Sequence, residues 1–458
     1  MVSFSSFEFI FRFLPIFLVI YFIVPAKYRE IVLLAGSLFF YAVGEPVFVL
    51  VLVALTLVNC FFGRKIWKLG EGFSIQEWQA KERKKLMALA IIIDVAALAA
   101  FKCLAVFVDS ALLPLGISFY IFKMISFQAD ILKGEVWSKP TFKSMALYFT
   151  MFPQVASGPI MRYNEGEFGT EKKSSLEQFE DGLKYFVLGL GMKVLLADRL
   201  AILWNDLQMI GFQSISTPLA WFGAFGFSLQ LYFDFWGYSL MSSGIMVMLG
   251  YQFVENFHHP YASGSIAEFY RRWHVTLGRW FKEYVYIPLG GSRCDKGRLV
   301  RNLAIVWILT GVWHGNGVNY LIWGGVLGLL IILEKLVYGK FLKKVPVIGN
   351  LYVLVLIPLT WVVFAITDLN KLGMYFGRLF PFIGGSGIAV NQQDIIKYAG
   401  NYGIYFIAGI ILCIPAVFGF YEKHKKNPVI VVLLAVLFWL SVYFLSSSAG
   451  NPFMYLNF

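Results

Sequence analysis

Charge is scarce in this chain. Asp, Glu, Lys and Arg make up 14% of its 458 residues, against 59% hydrophobic residues. Soluble globular chains carry about 25% charge, so an ordinary soluble domain is excluded. Long polar stretches are also lacking. No polar segment is large enough to build a second globular unit, and a single transmembrane domain over 1–458 is expected. There are only four cysteines, Cys60, Cys103, Cys294 and Cys413, with no paired spacing, so neither a disulfide framework nor a metal site can be read. No internal repeat is visible, which weighs against a secondary transporter built from inverted halves and using a histidine proton relay. The first 24 residues contain Glu8, Arg12 and Pro15 and lack a basic start and a small-residue cleavage site, so a retained membrane segment is expected there.

What the chain does have is a series of long apolar blocks separated by short charged connections. This is the pattern of an all-α polytopic membrane protein. At about 20 residues per crossing, it predicts about eleven transmembrane helices plus re-entrant and interfacial pieces. Lys and Arg total 39 against 27 acidic residues, a net +12. The excess sits in loops beside apolar spans, as in 64–85, so it marks cytoplasmic loops rather than a nucleic-acid surface.

Several stretches depart from simple spans. Pro114 is expected in the first turn of a helix. Residues 149–159 are apolar but contain Pro153, Gly158 and Pro159, which suits a re-entrant segment lining protein or a cavity. Asp94 and Lys102, eight positions apart on one apolar span, are each expected to meet a neighbouring helix. Asp234 sits between Phe233 and Phe235, where it is either a hydrogen-bonded structural acid or a functional one. Trp273–Ile287 mixes aromatic and basic residues as a helix lying in the membrane surface does.

Two histidines, forty positions apart, carry the chemical interest. His274 follows Arg271, Arg272 and Trp273, and His314 follows Trp313 inside an apolar run. Thirteen residues of helix separate Arg301 from His314, roughly 20 Å, which puts His314 near mid-bilayer if Arg301 lies at the cytoplasmic surface. Ionisable groups there are costly. A neutral imidazole can take the proton of an attacking hydroxyl, a poor nucleophile without such a base. It can equally be a hydrogen-bonding member of a helix bundle, and position alone leaves both roles open. His274, at an interface, reads as an anchor, and Arg271 and Arg272 as anchors or anion ligands. Gly311, Gly315 and Gly317 leave thin backbone around His314 through which a substrate could approach. His258 and His259 lack the further ligands that a metal site needs.

Phe269-Tyr270-Arg271-Arg272-Trp273-His274, Tyr286-Ile287-Pro288-Leu289-Gly290-Gly291 and Gly311-Val312-Trp313-His314-Gly315 together resemble the membrane-bound O-acyltransferase family. Within it, 114–120, 152–163, 229–238, 255–261 and the ending Asn451-Pro452-Phe453 are similar to the bacterial branch of membrane subunits that O-acetylate alginate and other exported polysaccharides. The resemblance implies a helical bundle around a membrane funnel or tunnel, in a bacterial cytoplasmic membrane. It makes His314 the catalytic histidine and His274 the second essential polar position, with Asp234, Tyr238, Arg271, Arg272, Trp273 and Trp313 as substrate contacts. The implied donor is cytoplasmic acetyl-CoA, with no resident cofactor. The implied partners are a secreted or membrane-anchored SGNH-type acetyltransferase and a polysaccharide acceptor, and D-alanyl transfer to teichoic acid is the neighbouring activity in the same family. Two positions depart from the branch: Leu240 stands where it carries an aspartate after Gly-Tyr-Ser, and His258-His259 replaces its more usual pattern.

Overall fold

The computed structural model describes residues 3–71, 75–383 and 390–447. The Asn451-Pro452-Phe453 motif therefore lies outside the described residues. The described chain is helical, and it divides into two compact units: 1–186 with 238–255, and 187–237 with most of 256–454. Seven helical stretches among the described residues are long and apolar enough to cross a membrane: Val49–Lys68, Glu77–Phe107, Ser110–Lys133, Val318–Lys344, Pro346–Ala365, Asp394–Cys413 and Pro428–Ser447.

The first unit contains α1 (Leu14–Ile23), α2 (Ala26–Gly44), α3 (Val49–Lys68), α4 (Glu77–Phe107), α5 (Ile117–Lys133), α6 (Phe142–Thr150) and the one-turn α7 (Phe152–Val155). The basic residues Lys81 to Lys85, expected in a loop, ride on the first turns of α4. The helix continues beyond its apolar part, helped by a Glu77–Lys81 pair at 2.6 Å. Pro114 is not in the first turn of α5, as the sequence suggests, but ahead of it. The helix starts after Gly116, whose φ of +67° turns the chain where any side chain would strike the Val155 carbonyl. Asp94 meets the neighbour expected of it: Asn59 Nδ2 donates to it at 2.8 Å, and Gln128 Nε2 donates to Asn59 Oδ1 at 3.0 Å.

Residues 149–159 are broken as the prolines imply, and they are buried. Apolar surroundings allow such backbone only if its polar groups find partners. Here side chains supply them. The Phe152 N–H donates to Ser37 Oγ at 3.0 Å, and the Ser242 and Tyr238 hydroxyls donate to the carbonyls of Pro153 and Ala156.

Helices α8 (Leu176–Gly191), α9 (Asp198–Ile210) and α10 (Thr217–Met248) follow. Helix α10 is one continuous helix of 32 residues. The second unit then builds the short pair α11 (Ile266–Arg272) and α12 (Val275–Phe281), and the hairpin of α13 (Lys296–His314) and α14 (Val318–Leu333). It continues with α15 (Gly339–Lys344), α16 (Pro346–Ala365), α17 (Leu369–Leu379), α18 (Asp394–Cys413), α19 (Pro415–His424) and α20 (Pro428–Ser447). Asp295 caps α13 by accepting from the Arg298 N–H at 2.9 Å, so that helix starts seven residues before its apolar part.

Candidate active site

Residues 256–258 and 272–275 form a short antiparallel bridge. The His258 N–H donates to the Arg272 carbonyl and the Val275 N–H to the Asn256 carbonyl, each at 2.9 Å. Between these bonds His274 is forced to a φ of +47°, a conformation costly for a side-chain-bearing residue and sustained here by the bridge and the helices on either side. His274 is not the exposed interfacial ring that its neighbours suggest: it is 4% exposed and stands edge-on to Phe235 at 4.6 Å. Burial pushes its pKa down to about 3, so the ring is neutral.

Asn256 decides which nitrogen of that ring carries the proton. Its Oδ1 accepts from the Thr276 hydroxyl at 2.9 Å and from the Thr276 N–H at 3.3 Å, so this atom is an acceptor. His274 Nδ1, 3.0 Å from the same oxygen, must then be the donor, and Nε2 holds the lone pair.

His314 is the last residue of α13 and is 5% exposed. Its ring lies among three aromatics: Trp313 at 4.5 Å, Trp323 of α14 at 4.9 Å and Phe364 of α16 at 5.1 Å. The wall continues from Trp323 to Trp361 at 5.7 Å, and from Trp361 to Trp273 at 5.0 Å. Three indoles thus lead from the residue beside His274 to the ring of His314. Asn319 secures the wall by donating to the carbonyls of Val363 at 3.2 Å and Phe364 at 2.9 Å.

The glycines around His314 do not open a path to it. The space beside Gly315 is filled by the Tyr320 ring, that beside Gly317 by Asn319 Oδ1, and that beside Gly311 by the Tyr320 carbonyl, 2.6 Å from where a Cβ would sit. The thin backbone serves close packing of α13 on α14, and Gly324 meets the Trp307 carbonyl in the same way. The approach expected from these glycines is therefore replaced by a tight helix pair.

The other expected site residues divide. Trp273 and Trp313 belong to the aromatic wall. Arg272 is occupied by Glu268 at 2.6 Å, while Arg271 is exposed. Asp234 is 2.7 Å from Lys193 Nζ, which also meets Asp198 at 2.7 Å, and all three lie in the second unit. That arrangement ties Asp234 to α9 through Lys193. Tyr238 lies in the first unit, stacked on Phe4 at 4.9 Å. Asn256, Trp323, Trp361 and Phe364 were not singled out from sequence. Trp323, Trp361 and Phe364 sit in apolar spans with nothing local to mark them, and Asn256 was visible only as part of a motif.

Both histidines of the sequence motifs are buried in this helical core, and a file of indoles runs between them. The chain belongs to the membrane-bound O-acyltransferase family, whose model matches residues 33–365, and it is a multi-pass membrane O-acyltransferase. It is 35% identical to a probable alginate O-acetylase of Pseudomonas syringae pv. tomato over 444 residues, covering 93% of this chain and 83% of that protein. A peptidoglycan O-acetyltransferase of Helicobacter pylori is 28% identical over 521 residues, covering 98% of this chain and 96% of its own. A teichoic acid D-alanyltransferase of Bacillus subtilis is 28% identical over 222 residues, covering 46% of this chain and 56% of its own.

Proposed function

We propose that this enzyme moves acetyl groups from cytoplasmic acetyl-CoA across the bacterial plasma membrane for O-acetylation of an exported or cell-wall polysaccharide. The observation that carries the reading is His314: a buried imidazole at the C-terminal end of α13, walled by Trp313, Trp323 and Phe364. The relatives similar over nearly the whole chain are named for O-acetylation, whereas the similarity to teichoic acid D-alanyltransferases covers 46% and 58% of it. Acetyl transfer is therefore favoured over D-alanyl transfer, and membership of an acyltransferase family leaves the transporter reading without support.

In this reading His314 is the general base. The acceptor hydroxyl gives its proton to the imidazole as its oxygen attacks the thioester carbonyl, and the C–S bond breaks. The proton then passes to the departing thiolate, so one ester forms for each thioester consumed. The indole wall keeps bulk water from competing for the acyl group and strengthens the electrostatics of the reacting centre. His274, neutral and holding its lone pair on Nε2, orients donor or acceptor. The receiving molecule beyond the membrane is the polysaccharide or an SGNH-type acetyltransferase that passes the group on.

The direct test replaces His314 with Ala in a host that makes the acetylated polysaccharide and measures ester on the surface glycan. With the variant present in the membrane at the normal amount, the reading predicts loss of ester. Wild-type acetylation by that variant would sink the assignment of His314.

A further inference from the structure

In the first unit, the C-terminal end of α3 and the residues that lead into α6 border an open surface cavity of about 530 Å³. Its lining is of two kinds. Leu57, Phe61 and Phe142 are exposed apolar side chains, while Arg64, Lys65, Lys68 and Lys139 are cations. The only carboxylate in the lining is Glu71, and it is already engaged: Lys139 Nζ lies 3.3 Å away and the Trp67 indole donates to it at 2.9 Å. Four cations thus face one carboxylate, leaving a net surplus of three positive charges. Among the described residues, Arg64, Lys65 and Lys68 form no ion pair with a carboxylate. Lys65 instead lies over the Phe61 ring at 4.5 Å, its stem along the apolar part of the lining.

The position of the cavity narrows the ligand. Helix α3 crosses the membrane, and its last turns carry the cations of a loop that the positive-inside bias assigns to the cytoplasm. The apolar half of the lining therefore lies at acyl-chain depth and the basic half at headgroup depth. A soluble anion would use only the basic half. A glycerophospholipid with a net negative phosphodiester headgroup would use both. We propose that this cavity is a binding site for an anionic phospholipid headgroup of the cytoplasmic leaflet, with the phosphodiester held by Arg64, Lys65 and Lys68 and the acyl chains running along Leu57, Phe61 and Phe142.

The test is native mass spectrometry of the purified full-length protein in detergent, after incubation with phosphatidylglycerol, with phosphatidylcholine, or with glycerol 3-phosphate. The proposal expects one retained phosphatidylglycerol per chain and little phosphatidylcholine. Retention should fall at least tenfold in Arg64→Gln/Lys65→Gln/Lys68→Gln and persist in the charge-keeping Arg64→Lys/Lys65→Arg/Lys68→Arg. A triple Lys81→Gln/Lys84→Gln/Lys85→Gln on the exposed start of α4 should retain it in full. The proposal is overturned if the first triple variant keeps the lipid, if phosphatidylcholine is retained equally, if the α4 triple loses as much, or if glycerol 3-phosphate displaces the lipid at equal concentration.

Discussion

At the scale of single residues, hydrogen bonds fix which nitrogen of a histidine carries its proton. Asn256 holds the His274 ring with Nδ1 protonated because its own oxygen already serves as acceptor for Thr276. Asn256→Leu removes that acceptor from a buried position and leaves the His274 N–H and the Thr276 hydroxyl to find new partners. A buried polar group left without one costs about 1–3 kcal/mol. With His274 orienting donor or acceptor as proposed, a loss of that size in the transition state lowers turnover by about fivefold to a hundredfold, with the variant still folded in detergent as judged by size-exclusion chromatography. Turnover equal to wild type would show that the ring's tautomer is irrelevant. His314 was legible in the sequence because an imidazole in an apolar run stands out. Asn256 was less so, because its role depends on a bridge to residues sixteen to nineteen positions downstream, and no local pattern announces that pairing.

At the scale of elements, the buried charges are structural ties. Lys193 lies in the π-helical segment Met192–Ala197 that joins α8 to α9, and it links Asp198 at the start of α9 to Asp234 in α10. Lys193 and Asp234 are buried and Asp198 is partly so, and removing the lysine alone leaves two carboxylates close together in a poor dielectric. Breaking such a buried group by deleting one partner costs about 3–5 kcal/mol. Lys193→Met should therefore reduce the amount of folded protein in the membrane, and adding Asp198→Asn and Asp234→Asn should recover much of it. Normal yield of the single variant would contradict this account. The sequence displays Asp234 without its partner, forty-one positions away, so this tie was not legible in it. The same blindness applies to the α13–α14 hairpin. Gly311 and Gly315 are visible as small residues, but only the packed structure reveals that Tyr320 takes the space they leave.

At the scale of the whole molecule, apolar blocks and basic connections were enough to read an all-helical membrane protein, since both follow from the cost of exposing polar backbone and charge to lipid. Helix boundaries were less legible. Helix α4 begins nine residues before Leu86, where its apolar run starts, and α13 seven before Leu303, because a helix can carry charge into water beyond the membrane. The aromatic file was legible only in part. Trp273 and Trp313 fall in recognisable motifs, but Trp323, Trp361 and Phe364 come from α14 and α16 and meet them only through tertiary packing. The most direct measurement is sided transfer. Sealed vesicles containing the enzyme and its acceptor system would receive radiolabelled acetyl-CoA on the cytoplasmic face alone, and label would be counted as hydroxylamine-labile ester on the opposite face. The account predicts ester beyond the membrane with the wild-type chain and none above background with His314→Ala. Equal label on the far side with both chains would contradict it.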